Sequence, residues 1–236
     1  MKLVIIIPAL NEERTVGAVI RGLPRVPGFS KQEIVVIDDG SADRTAEVAR
    51  KAGAKVVSHG SRRGLAAAFR TGLAEAKRLG ADVVACIDAD GQYDPKQMPL
   101  VAGPVARGEA DLVLGRRLPP RPGGMPLSKY IGNMLATLFV SLLCQRWFND
   151  AQTGFRAFSM RAVGSMDLRS QFTYTQESLM QCAYNGMVIK EAKVLFKPRQ
   201  DKPRLFGPVR EYALRAFPGI AVTFLRFHPA LRGLFS

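Results

Sequence analysis

The chain has 236 residues and a formal net charge of +14, from 34 Lys plus Arg against 20 Asp plus Glu. An apolar fraction of 47% with 23% charged residues excludes a disordered chain, and the length suits one α/β domain with its own core. Three distant cysteines, Cys86, Cys144 and Cys182, exclude a disulfide scaffold or a zinc cluster and fit a reduced compartment.

The N-terminal run Leu3–Ile7, closed by Pro8, reads as a buried parallel strand rather than a leader. Helical spacing follows over Glu12–Leu23. Glu33–Ile37 is a second strand ending in Asp38-Asp39-Gly40-Ser41, and Asp43 caps a helix to Ala52. Lys55–Ser58 is a third strand, Gly64–Leu79 an Ala-rich helix, and Asp82–Ile87 a fourth strand followed by Asp88-Ala89-Asp90. Pro95–Ala106 is a helix and Asp111–Leu114 a fifth strand. This alternation predicts an α/β fold with a parallel sheet, and ligands in such sheets bind beyond the carboxyl ends of the strands.

The second half reads differently. Leu118–Pro126 is a Pro/Gly-rich loop, and Ser128–Phe148 a helix apolar almost all round. Asn149–Phe158 is a polar turn entering a short strand. Gln176–Gly186 is a helix and Val188–Phe196 an edge strand. From Val209 onward lies a basic amphipathic stretch that Pro218 and Pro229 should break into short pieces. No run reaches the ~18 apolar residues of a membrane span. Residues 190–236 hold ten basic and three acidic residues, half of the net charge. Such a tail suits an anionic membrane surface or a phosphorylated ligand; a core-packing helix or a solvated basic face would look similar. Nucleic acid is disfavoured by the lack of any recognition motif.

Two acidic clusters could carry chemistry. Asp88 and Asp90, two residues apart past a buried strand, with Gln92 beside them, fit a Mg²⁺ or Mn²⁺ site completed by ligand phosphates. They also fit a capping turn before Pro95. Asp38-Asp39-Gly40 fits an ordinary turn or an acceptor for a base or ribose. No glycine-rich dinucleotide or Walker loop is present. His59 and His228 have no partners at ligand spacing and read as incidental.

In order and spacing, Pro8-Ala9-Leu10-Asn11-Glu12, Asp38-Asp39-Gly40-Ser41-x-Asp43-x-Thr45 and Asp88-Ala89-Asp90-Gly91-Gln92 resemble glycosyltransferase family 2. Ala110–Arg117, Asn133-x-Leu135-Ala136, Asp150-x-x-Thr153-Gly154-Phe155-Arg156 and Glu177 ahead of Gly186 extend the resemblance toward dolichyl- or polyprenyl-phosphate sugar transferases. It implies a GT-A type, Rossmann-like, mainly parallel sheet over residues 1–205, then an amphipathic basic tail over 206–236. It also implies a nucleotide-diphosphate-sugar donor, GDP-mannose or a UDP-sugar. Pro8, Leu10 and Glu12 would line the nucleoside, and Asp39, with Ile37 nearby, would take the base. Asp88 and Ala89 would approach ribose and diphosphate. Asp90, Gln92 and Asp88 would hold Mg²⁺ or Mn²⁺. Asp90 and Arg117 would carry catalysis, with Arg199 closing on the phosphates. Arg117, Lys129, Thr153, Arg156 and Glu177 would form the acceptor side.

The implied reaction is inverting transfer of a hexose to a polyprenyl or dolichyl phosphate, which arrives ionised and needs no general base. The implied location is cytoplasmic, peripheral on the inner membrane face, with a membrane-anchor partner or a second copy as conceivable company. A family 2 enzyme with a soluble or glycan acceptor is the alternative; a nucleotidyltransferase and a non-catalytic binding module fit less well. Three positions depart from the pattern. Ala66 replaces a glycine, and Met125 or Pro126 replaces an arginine whose role Lys129 or Arg121 could take. Lys202-Pro203-Arg204-Leu205 lacks the usual Gly and Ser.

Overall fold

The computed structural model describes residues 1–118, 127–170, 173–197 and 209–230, with backbone alone over 209–216. Seven strands form one sheet: β1 (Lys2–Ala9), β2 (Lys31–Asp38), β3 (Lys55–Ser58), β4 (Val83–Cys86), β5 (Leu112–Leu118), β6 (Arg156–Ser159) and β7 (Ile189–Leu195), in the order β3-β2-β1-β4-β6-β5-β7. All pairs are parallel except those of β6, which runs antiparallel to both β4 and β5. Six strands therefore deliver their carboxyl ends to one edge.

Alternation explains the apolar runs. In β1, Val4 and Ile6 face one side, while Leu3, Ile5 and Ile7 face the other, and all are fully buried. The first side packs under α3 (Leu65–Arg78), α5 (Leu127–Leu143) and α7 (Tyr174–Tyr184). The second packs under α1 (Val16–Gly22), α2 (Thr45–Lys51) and α4 (Met98–Ala106). A sheet covered on both faces needs apolar residues at every position, so its strands read as continuous runs.

The differences from expectation are local. Helix α1 starts four residues late, because Glu12–Thr15 form a turn in which the Glu12 carbonyl accepts from Thr15 and Val16. The short helix α6 (Met160–Gly164), capped by Ser159, has no signature in the sequence pattern. The tail expected to break at Pro218 is instead one helix, α8 (Val209–Phe227), with Pro218 inside it. A proline removes one backbone bond, and docking on α7 compensates. Ile220 and Thr223 are buried there, and Arg226 reaches Asp167 at 2.9 Å. A Cβ at Gly219 would meet Thr173 Oγ1 at 2.6 Å, so the helices touch backbone to side chain. Among the described residues, no helix is long and apolar enough to cross a membrane.

Candidate active site

The loops after β1 and β2 are stitched together by side chains. Asn11, in the left-handed region at φ 52°, donates its N–H to Ser41 Oγ and accepts from the Ala42 N–H through Oδ1. The Glu12 N–H donates to Thr45 Oγ1 at 2.7 Å, and the Glu12 carboxylate accepts from Thr15 Oγ1. Asp43 accepts from the Glu13 and Thr45 N–H groups. Gly40 has φ +77°, and a Cβ there would lie 2.6 Å from the Ser61 backbone, so the segment after β3 presses directly onto this turn.

Asp39 is buried and well satisfied. Its Oδ1 accepts from the Arg63 N–H at 2.9 Å and lies 2.8 Å from His59 Nδ1, and its Oδ2 accepts from the Gly64 N–H at 2.8 Å. His59 is thus a built part of this edge and not incidental. Its partner lies on the neighbouring strand end, invisible to local spacing; its place one residue past β3 was the available signal. Ile37 is fully buried inside β2 and Pro8 inside β1, so both shape the edge from within the sheet.

Beyond β4, Asp88 lies against Gly154: a Cβ there would sit 2.8 Å from Asp88 Oδ1. Only glycine lets the 153–155 turn approach this carboxylate. Asp90 Oδ1 accepts from the Gln92 N–H at 3.0 Å. Gln92 is tied elsewhere. Its Nε2 donates to the Lys197 carbonyl at 3.0 Å, and the Lys197 N–H donates back to the Gln92 carbonyl at 2.8 Å. Ala89 is buried between the two aspartates.

Arg117, at the end of β5, forms a two-pronged pair with Asp150, at 2.6 and 2.8 Å, and stacks 5.2 Å over the Phe196 ring. Phe196 packs edge-on against Tyr93, whose hydroxyl lies 3.1 Å from Thr153 Oγ1. Burial alone would lower the Arg117 pKa; the Asp150 carboxylate outweighs it and holds the guanidinium above its ordinary value. Burial raises the Tyr93 phenol well out of the physiological range. The cation is fixed in both charge and direction.

Two expected acceptor-side residues lie elsewhere. Arg156 has no exposed surface and donates to the carbonyls of Ala151, Thr153 and Thr175 and to Ser178 Oγ. It braces the 150–155 turn against α7 from within the protein. Glu177 accepts from the Ser170 N–H at 3.1 Å and from Thr223 Oγ1 at 3.3 Å, between α7 and α8. Lys129 is exposed in the first turn of α5. Arg199 and Arg121 lie outside the described residues.

Burial raises the Glu177 carboxyl above its usual value, against the bonds that favour the ion. Below the unfolded carboxylate range both states are protonated and nothing is lost. As pH rises through the raised folded value, the buried ion penalises the fold. The melting temperature of Glu177→Gln relative to the parent should therefore rise between pH 4 and pH 7 in thermal denaturation. A difference that stays flat with pH contradicts this assignment.

Among the described residues, no three His, Cys, Asp or Glu side chains converge as a ready metal cage. Asp88 and Asp90 nevertheless fit a hard divalent cation that takes its remaining oxygens from a ligand diphosphate. The edge thus combines two carboxylates past β4, a fixed guanidinium at β5 and a buried carboxylate past β2.

The sequence pattern of glycosyl transferase family 2 matches residues 4–165. The chain belongs to glycosyl transferase family 2. A UDP-N-acetylglucosamine–dolichyl-phosphate N-acetylglucosaminyltransferase of Methanococcus voltae is 31% identical over 80% of this chain and 83% of its own length. A dolichyl-phosphate hexose transferase of Haloferax volcanii is 28% identical over 86% of each chain. Glucosyl-3-phosphoglycerate synthase of Mycobacterium tuberculosis, solved with Mn²⁺, uridine-diphosphate and phosphoglyceric acid, superposes with a TM-score of 0.73. It is 23% identical, over 95% of this chain and 77% of that one. That likeness establishes the shared GT-A type fold. This family 2 protein is a glycosyltransferase by sequence.

Proposed function

We propose that this family 2 transferase moves a hexose, with inversion, from a nucleotide-diphosphate sugar to a polyprenyl or dolichyl phosphate. Asp39 and the stitched loops after β1 and β2 serve the nucleoside. Asp88 and Asp90 would hold Mg²⁺ or Mn²⁺ on the diphosphate, and the cation supplies Lewis-acid stabilisation of the departing group. Arg117, aimed by Asp150 and Phe196, offsets charge between donor and acceptor phosphates. An ionised acceptor phosphate needs no proton removed, so positioning and charge account for the chemistry.

The observation that carries the lipid acceptor is helix α5. It begins ten residues after Arg117 and exposes seven large apolar side chains between Leu127 and Leu142, the last 67% exposed, with Trp147, 70% exposed, just past its end. Soluble surfaces rarely gather so many on one face. No acidic residue lies between Asp111 and Asp150, while Lys129 sits in the first turn of the helix and Arg146 just past its end. Phe217, Val222 and Leu225 of α8 are exposed as well. An apolar face rimmed by cations suits the interface of an anionic bilayer. The relatives named for dolichyl-phosphate transfer support the same reading.

The double variant Leu135→Glu/Leu142→Glu tests it. Withdrawing two leucines from lipid costs roughly 3 kcal/mol, about two orders of magnitude in partitioning. Co-sedimentation with phosphatidylglycerol vesicles and transfer to vesicle-borne polyprenyl phosphate should both fall, with the melting temperature retained. Undiminished vesicle binding, or transfer to a soluble glycan instead, would favour the soluble-acceptor alternative.

A further inference from the structure

The hydrogen bonds around Asp39 limit which base it can take. A carboxylate offers about four acceptor positions. His59 Nδ1 at 2.8 Å and the Arg63 N–H at 2.9 Å take both on Oδ1, and the Gly64 N–H takes one on Oδ2. Among the described residues one position remains, on Oδ2. His59 is itself fixed: its Nε2 lies 2.9 Å from Thr71 Oγ1 on α3, and its backbone N–H donates to the Asp38 carbonyl. The consistent assignment has Nδ1–H donating to Asp39 and the Thr71 hydroxyl donating to Nε2. The side chains of His59 and Asp39 are only 4% and 5% exposed, so water cannot freely replace the imidazole. The contact of Gly40 with Ser61 and Arg62 keeps the 59–64 segment against Asp39.

We propose that His59, held by Thr71, is a specificity-determining positioning residue that leaves Asp39 a single acceptor and so selects uracil over guanine. Uracil presents one imide N–H between two carbonyls. Guanine presents N1–H and the N2 amino group side by side and needs an acceptor on each oxygen, but Oδ1 is filled. Cytosine turns an acceptor nitrogen toward the carboxylate and is repelled. An unpaired buried donor is what makes such discrimination large. The inference rests on the reading of this edge as a nucleotide-diphosphate-sugar site, and it narrows the donor to a uridine-diphosphate sugar.

Calorimetric titration with UDP, GDP and CDP in Mn²⁺ tests it on the full chain. The parent protein should bind UDP at least tenfold more tightly than GDP. His59→Ala should shrink that ratio at least fivefold, and His59→Asn, whose amide nitrogen stands where Nδ1 does and keeps a donor toward Asp39, should restore most of it. Thr71→Val, a milder change that leaves His59 in place but unanchored, should give an intermediate ratio and covers the case in which His59→Ala fails to fold. A purely structural role would weaken both nucleotides equally and leave the ratio unchanged, which would overturn the proposal. Equal binding of UDP and GDP by the parent would overturn it too while sparing the donor-site reading. Binding of none of the three would overturn both.

Discussion

Asp90→Asn is expected to lower sugar transfer by about 10²–10³-fold while the fold is retained. In the proposed cation site, losing one of the two carboxylates would remove several kcal/mol of charge stabilisation from the departing diphosphate. The amide keeps the size of the side chain, and its oxygen can still accept from the Gln92 N–H, the bond Asp90 Oδ1 now makes. Single-turnover assays across a Mn²⁺ series check this. The variant should need more metal and remain slow at saturation, with an unchanged melting temperature. Full activity at saturating metal would show that Asp90 holds the turn rather than the cation.

Arg156→Met is expected to cost about 3–5 kcal/mol, the usual penalty for breaking a buried charged network. Three carbonyls and the Ser178 hydroxyl would lose their donor inside the protein. For a chain of this size that lowers the melting temperature by roughly 6–10 °C. Arg156→Lys should not rescue it, because a lysine cannot reach four acceptors from one planar fork. Scanning calorimetry decides; a shift within about 2 °C would show that the guanidinium is dispensable. Because the same fork braces the turn holding Gly154 against Asp88, partial loss of activity should accompany the loss of stability.

What was legible in the sequence follows from which interactions are local. Lys55–Ser58 was legible to the residue as a short β-branched run between the Gly53 turn and His59, although this edge strand is only part-buried. The place of Asp88 and Asp90 at the carboxyl edge was legible because both follow one strand by a few residues. The position of β6 was not, since its antiparallel pairing between β4 and β5 joins segments about 45 to 75 residues apart. Helix α8 runs through Pro218 because its buried face on α7 outweighs one lost backbone bond, and that face is a tertiary fact. His59 was dismissed for lack of a local partner, while Asp39, twenty residues away, meets it only once β2 and β3 pair. The resemblance alone puts Arg156 on the acceptor side, and no local pattern marks it as buried. The fold instead buries it among carbonyls.

The central claim is sugar transfer onto a lipid phosphate, and mass spectrometry of the product tests it most directly. Purified protein with Mn²⁺ or Mg²⁺ and a short polyprenyl phosphate would be incubated with UDP- and GDP-sugars, with Asp90→Asn as control. A lipid-phosphate-hexose from a single donor, absent in the control, is the expected product. Metal-dependent release of free nucleotide diphosphate with the hexose on water or a soluble acceptor, and none on the lipid, would contradict it.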